Sequence, residues 1–544
     1  MKVIKMATNN EDKRLIKSVL EKINKEVLEK YISDALTQTR EYDGWENKEE
    51  KIKERISCCA IEHPLDETVQ KRLGEIDIRT TDDEYQIFNF LDTIKEIWKL
   101  AIAKAIKCLR YFDEREPFIK NVNKHPIAYG INELSDYFEK YTEFESMLYG
   151  GGKNYRDHIV HVFRVWLLGL ECLLDNDGAY LEKIKIHNDI SISNLEKLSI
   201  WTMIALTHDL GYPLEKAQSI IEKTKDMMRS FVANPNITMD LSFSGIQNNM
   251  NDFVIRFMSS KMHRANIVGA EADDVQVATE IGANRAGSYV ARLQPKYYFK
   301  FQKSLEKNRH GVLSAIIIYK LLIYFLESDF NINEDYIFNT EEARQFYIRR
   351  EILRTISAHT CHDIYHLDIF NFAFLLIMVD DAQEWGRKRI SELYVKKESG
   401  YEFKGMTPRL DVEGRNKFLV EEKFTLNKSE ENSIKDILQS LFNQSKAYEE
   451  IFRDGQDTGK RNFDFEKQCT IEFKSEKTVT FHVCFIISNE AKSSFTISIN
   501  SRDKKLLEGF GKNCLESVFG EKLKLLESTQ EDEIVFELEE KHEI

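Results

Sequence analysis

Residues 205–211 read ALTHDLG and set a His–Asp pair, His208–Asp209, at the end of the apolar run WTMIALTHDLG. Adjacent side chains cannot share one face of a helix. Both can bind one metal ion only if the helix is ending or the ion sits off its end. Upstream, YRDHIVHVFRVW places His158 and His161 at i, i+3, on one helix face, with Ile159, Val162, Trp166 and Leu170 as apolar neighbours. Downstream, His310 opens the apolar helix of RHGVLSAIII, and His359 and His362 follow the helical EILRTIS. Asp380 and Asp381 end the run FAFLLIMVDD. A carboxylate beside so apolar a run is costly to bury without a cation or a strong partner. Each feature alone has an ordinary structural explanation: a hydrogen-bonded core histidine, or a solvated helix end. The ordered set His, His-Asp, His, His, Asp is what points to a metal site. Imidazole and carboxylate donors without thiolates suit Zn, Mn, Fe or Mg. A carboxylate bridging two such ions would activate water and clamp a phosphoryl group.

The elements that must position these residues are helices. Nine of the 13 histidines lie between His158 and His366, where the three- and four-residue apolar spacing is strong. Residues 1–150 read as a helical N-terminal region, with such spacing in Asp12–Leu36 and Tyr85–Phe112. Gly150–Gly152 marks a joint to a core over 151–395. Within that core, Ala270–Lys300 is an irregular Arg- and Tyr-rich insert, a candidate loop near a site or contact between subunits. Residues 396–415 read as a connector. Beyond it, Lys417–Leu426, Thr470–Lys474, Thr478–Ser488, Ser494–Asn500 and Glu533–Glu539 read as strands. Amphipathic helices lie near Ser429–Phe452 and Lys504–Leu526. The expected fold is mainly α, with a helical extension before the core and a small α+β domain over 416–544.

The 544 residues suffice for several domains, and 42 % hydrophobic with 31 % charged residues describes an ordinary water-soluble chain. Only 7 Pro and 23 Gly favour long helices. A formal charge of −14 argues against nucleic acid or a membrane surface as partner, although a local basic cleft could still hold phosphates. The 8 cysteines form no C-x-x-C pair, which excludes a thiolate zinc site of that type. The N-terminus lacks a signal-peptide apolar stretch and no apolar run is long enough to span a bilayer, so a cytoplasmic location is expected. Phosphate-binding glycine loops of the strand–helix type are absent from the sequence.

The motifs resemble the HD-domain metal-dependent phosphohydrolase superfamily. His161-Val162-Phe163-Arg164-Val165 is similar to its H-x-x-R-V helix, Leu206–Gly211 to its H-D-[IL]-G motif, and Val379-Asp380 to the terminal Asp of its last core helix. The resemblance covers roughly residues 150–395. It implies a ligand quartet of His161, His208, Asp209 and Asp380. It adds His310 and His359 as the further histidines of members holding two ions, in which Asp209 would bridge. The cofactor it implies is one or two divalent ions: Mn, Mg, Fe, Zn or Ni. The segment HTCHDIYH departs from HD-GYP phosphodiesterases. YPLEKAQ departs from the usual continuation in deoxynucleotide triphosphohydrolases.

The expected activity is hydrolysis of a nucleotide or another phosphorylated small molecule, first among them a deoxynucleoside triphosphate. A cyclic or oligonucleotide phosphodiesterase is the alternative, followed by a diiron oxygenase of the same core and a non-catalytic nucleotide sensor. A homo-oligomer is expected. His158, Glu215 and Lys216 are candidate catalytic or substrate-facing residues; each could equally serve structure or solvation. His362, His366, Asp381 and Arg387 are candidate additions to the site.

Overall fold

Apolar residues at helical spacing organise the first two thirds of the chain in a computed structural model. It describes residues 11–23, 25–38, 61–79, 89–113, 130–151, 158–187, 190–229, 246–264, 289–327, 337–361, 364, 369–383, 400–412, 415–428, 431–451, 463–474, 478–487, 493–503, 507–520, 523–526 and 533–538. The chain divides into two units: Met1–Gly151 with Asp157–Ile364, and Gly152–Arg156 with Tyr365–Ile544.

The first unit is helical. Its N-terminal part contains α1 (Glu11–Lys22), α2 (Lys25–Gln38), α3 (Glu67–Arg79), α4 (Leu91–Tyr111) and α5 (Ile131–Gly151). Then come α6 (Ile159–Leu173), α7 (Asn194–Thr207), α8 (Tyr212–Arg229), α9 (Ile246–Ser259), α10 (Pro295–Glu306), α11 (His310–Leu321) and α12 (Thr340–Ala358). A small antiparallel sheet joins β1 (Ser260–Arg264), β2 (Tyr289–Leu293) and β3 (Ile337–Phe338). Both α6 and α7 are buried along almost their whole length, so they form the centre. A Ser193–Glu196 capping box satisfies the first N–H groups of α7.

The N-terminal helices are part of this packing and not a separate extension. Asp12 of α1 accepts two 2.7 Å bonds from Arg164 of α6, and Trp98 of α4 donates to Leu206 O at 2.7 Å. The boundary expected near residue 150 therefore does not divide the fold; α5 itself runs to Gly151. Of the irregular 270–300 insert, the described part forms β2 and the start of α10; residues 270–288 lie outside the described residues.

His63, just before α3, is buried, and burial pushes its pKa down to about 4 from 6.5. The unfolded chain takes up that proton first, so this contribution is present above pH 6.5 and is lost as pH falls through about 4. Urea unfolding should show a loss on the order of 3 kcal/mol over that window. A His63→Gln protein should show a flatter profile, and an unchanged profile would reject the assignment.

The second unit starts with α13 (Phe372–Ala382) and carries a seven-stranded sheet. Its strands are β4 (Gly400–Val412), β5 (Arg415–Asn427), β6 (Phe463–Lys474), β7 (Thr478–Ile487), β8 (Ser494–Asn500), β9 (Leu523–Leu526) and β10 (Glu533–Leu538). The spatial order is β4-β5-β6-β7-β8-β10-β9. Only β5 and β6 pair in parallel, as the crossover through α14 (Glu431–Ile451) requires. Val479, Phe481, Val483, Phe485 and Ile487 alternate into the core from β7.

Two expectations for this unit need correction. The expected connector over 396–415 contains edge strand β4: its Gly405 lies at a register shift and its Pro408 occupies an edge, where a missing N–H is tolerated. The helix expected over Lys504–Leu526 is only α15 (Lys512–Phe519), preceded by one turn of π-helix. Gly520, at φ 53°, ends it, and LKLL then pairs with β10 as β9. No helix among the described residues is long and apolar enough to cross a membrane.

Candidate metal centre

The His–Asp pair sits where α7 stops. The helix ends at Thr207, and residues 208–211 form a turn before α8. This frees Asp209 from the helical direction of His208, as adjacent ligands require. Other helices hold the turn. Tyr137 of α5 donates to Leu210 O at 2.8 Å. Ser314 of α11 donates to His208 O at 2.6 Å and accepts from Gly211 N at 2.8 Å.

Gly211 is needed for this close approach. A Cβ there would lie 2.4 Å from His310 O and 2.7 Å from Ser314 N, both backbone atoms of α11. Gly211→Ala should destabilise the first unit by about 1–3 kcal/mol. It should also lower bound Mn²⁺, because α11 can yield only by moving His310. Thermal melting and metal analysis check this; a variant equal to the parent in both would refute it.

Asp209 is the centre of the cluster. Its Oδ2 lies 3.8 Å from His161 Nε2 and 3.5 Å from His208 Nε2. Its Oδ1 lies 3.3 Å from His310 Nε2 and 3.7 Å from His359 Nε2. Two groups built on Asp209 result within the first unit, His161–His208–Asp209 and Asp209–His310–His359, each with its ligand atoms within 4.8 Å of one another. Metal bonds of about 2.0–2.2 Å put neighbouring ligand atoms about 3.0–3.5 Å apart. The observed spacings are close to that range and mostly long for hydrogen bonds.

The rings present the correct nitrogen. His208 Nδ1 lies 2.8 Å from Ala205 O, and His359 Nδ1 lies 2.5 Å from Ile356 O. A carbonyl oxygen only accepts, so both Nδ1 atoms carry hydrogen and each ring turns its Nε2 to the cluster. His310 Nδ1 lies 2.7 Å from Glu215 Oε2. Burial pushes the Glu215 carboxyl up, but the His310 hydrogen bonds and charge outweigh it and hold it below its ordinary value. His310 Nε2 and His359 Nε2 then face each other at 3.1 Å. Two lone pairs at that distance repel unless a proton or a metal ion lies between them. Burial likewise opposes ionisation of Asp209. The surrounding His208, His359, His310 and His158 prevail and hold its carboxyl well below the usual range. The donor set fits one or two divalent ions.

No family model, curated protein or solved structure matches this chain.

The remaining sequence candidates have distinct places. His158 precedes α6 as its N-cap; its Nδ1 lies 3.2 Å from Glu145 Oε1, and its ring stacks on Tyr212 at 3.7 Å. Glu215 bonds His310. Lys216 holds its Nζ 4.7 Å above the Tyr212 ring. In the second unit, Asp380 stands in the last turn of α13, and Asp381 accepts a 2.7 Å bond from Tyr448 Oη. His362, His366 and Arg387 lie outside the described residues. Sequence reasoning missed Glu145, Tyr137, Trp98 and Ser314. Their only signal is polarity within apolar helices, which many structural residues share. Tyr212 was legible only as the residue after H-D-L-G.

Proposed function

We propose that the chain is a metal-dependent phosphohydrolase of HD-domain type acting on nucleotides, with a deoxynucleoside triphosphate as the leading substrate. The observation that carries this reading is Asp209, whose two oxygens each face their own pair of imidazole Nε2 atoms. Divalent ions held there supply Lewis acidity toward a phosphoryl group and activate water. Asp209 stays ionised and offers both oxygens. His161, His208, His310 and His359 offer Nε2 atoms, three of them oriented through Nδ1. Lys216, beside Tyr212, provides positive charge for substrate phosphate. His158, against Glu145, can hold a proton near the leaving group.

In the proposed reaction, water oxygen bonds to the α-phosphorus and the bond from that phosphorus to the sugar 5′-oxygen breaks. The sugar oxygen takes a proton, giving deoxynucleoside and tripolyphosphate. The test is incubation of the purified full chain and Mn²⁺ with deoxynucleoside triphosphates, cyclic nucleotides and dinucleotides. Tripolyphosphate release supports the leading substrate; a nucleoside monophosphate from the other substrates redirects the reading to a phosphodiesterase. Bound ions with no turnover of any substrate, in Mn²⁺, Mg²⁺ or Fe²⁺, would overturn the enzyme reading. Asp380, expected from the sequence as a further ligand, is tested by the metal content of Asp380→Ala.

A further inference from the structure

The histidines of the two groups are held differently. The side chains of His161 and His208 are 1 % and 0 % exposed, and His208 is tied to its own helix through Ala205 O. The His310 side chain is 20 % exposed, and His310 is the first residue of α11. No preceding helical turn confines it. One oxygen, Glu215 Oε2, instead meets both its backbone N–H, at 2.8 Å, and its ring Nδ1, at 2.7 Å. The first contact fixes where α11 starts, and the second fixes the ring's rotation and hence the direction of Nε2. Glu215 reaches His310 from the first turn of α8, directly after the turn bearing Asp209. Asp209 and His310 are thereby set against each other through one short stretch of backbone.

We infer that Glu215 is a positioning residue that sets the occupancy of the Asp209–His310–His359 position, so that the two ion positions load separately. This rests on the metal-site reading above. Glu215 is not within any ligand group among the described residues. Without it, His310 loses the contact that sets its ring, whereas His161 stays buried and His208 keeps its tie to Ala205 O. Loss of a hydrogen-bond partner behind a ligand histidine costs about 10–100-fold in metal affinity.

The experiment is Mn²⁺ binding to the full chain by equilibrium dialysis, with electron paramagnetic resonance to separate coupled pairs from single ions. The parent protein should take up two ions with a spin-coupled signal. Glu215→Ala should keep the tighter ion with unchanged affinity, bind the second about 10–100-fold more weakly, and show an isolated-ion signal. His310→Ala should give the same isolated-ion state. Glu215→Gln retains an acceptor oxygen and should recover most of the second ion. The inference is overturned if Glu215→Ala binds the second ion as tightly as the parent, or if both ions weaken together. A parent protein that binds no ion overturns the metal-site reading itself and this inference with it; one that binds a single ion keeps that reading and overturns this inference.

Discussion

If the proposed function holds, Asp209→Ala protein should retain neither ion and should lose hydrolysis by at least about 10²–10³-fold. Asp209 supplies one oxygen to each of its two histidine pairs, so its removal takes the shared carboxylate from both. A pair of neutral imidazoles without a carboxylate is a weak site for a hard divalent ion. The fold should persist, because the turn around Asp209 is held by Ser314, Tyr137 and Trp98 and not by its carboxylate. Metal analysis, circular dichroism and product release measure the three expectations together. Full metal content or full activity in this variant would remove Asp209 from the centre of the site.

Arg164→Met should destabilise the first unit by about 3–5 kcal/mol. Arg164 Nε and Nη2 each donate to Asp12 at 2.7 Å, and the two side chains are only 1 % and 2 % exposed. Substitution leaves the Asp12 carboxylate buried beside an apolar side chain. Asp12→Asn together with Arg164→Met should recover part of the loss, because the unpaired charge is then gone. Urea unfolding of the two single variants and the double variant measures this. A single-variant loss below about 1 kcal/mol, the scale of an exposed pair, would show that the pair is not buried in solution. The same pair explains a feature of the sequence. Arg164 belongs to the H-x-x-R-V stretch, and its guanidinium pairs with Asp12 and so fastens α1 to α6.

The candidate ligands were legible in the chain because their chemistry is local and their carriers are strongly apolar. His161, His208, Asp209, His310 and His359 each stand against a buried helix, and the fold brings them into two groups. Glu215 was legible as a residue near the motif. Its bond to His310 was not, since the two are 95 residues apart. Strand β4 was misread because Gly405 and Pro408 look like loop residues until the sheet shows a bulge and an edge. β9 was misread because a short apolar run fits helix and strand periods equally.

Periodicity along the chain thus established a mainly helical protein with a strand-rich C-terminal part, and residue type marked a set of candidate metal ligands without thiolates. Those properties depend on neighbours within a few residues. Tertiary structure alone decided that Asp209 offers one oxygen to each histidine pair and that Glu215 stands behind His310. It also decided that α1 and α4 belong to the same packing as α6 and α7. These depend on where helices far apart in sequence cross, and burial of their apolar faces sets that crossing.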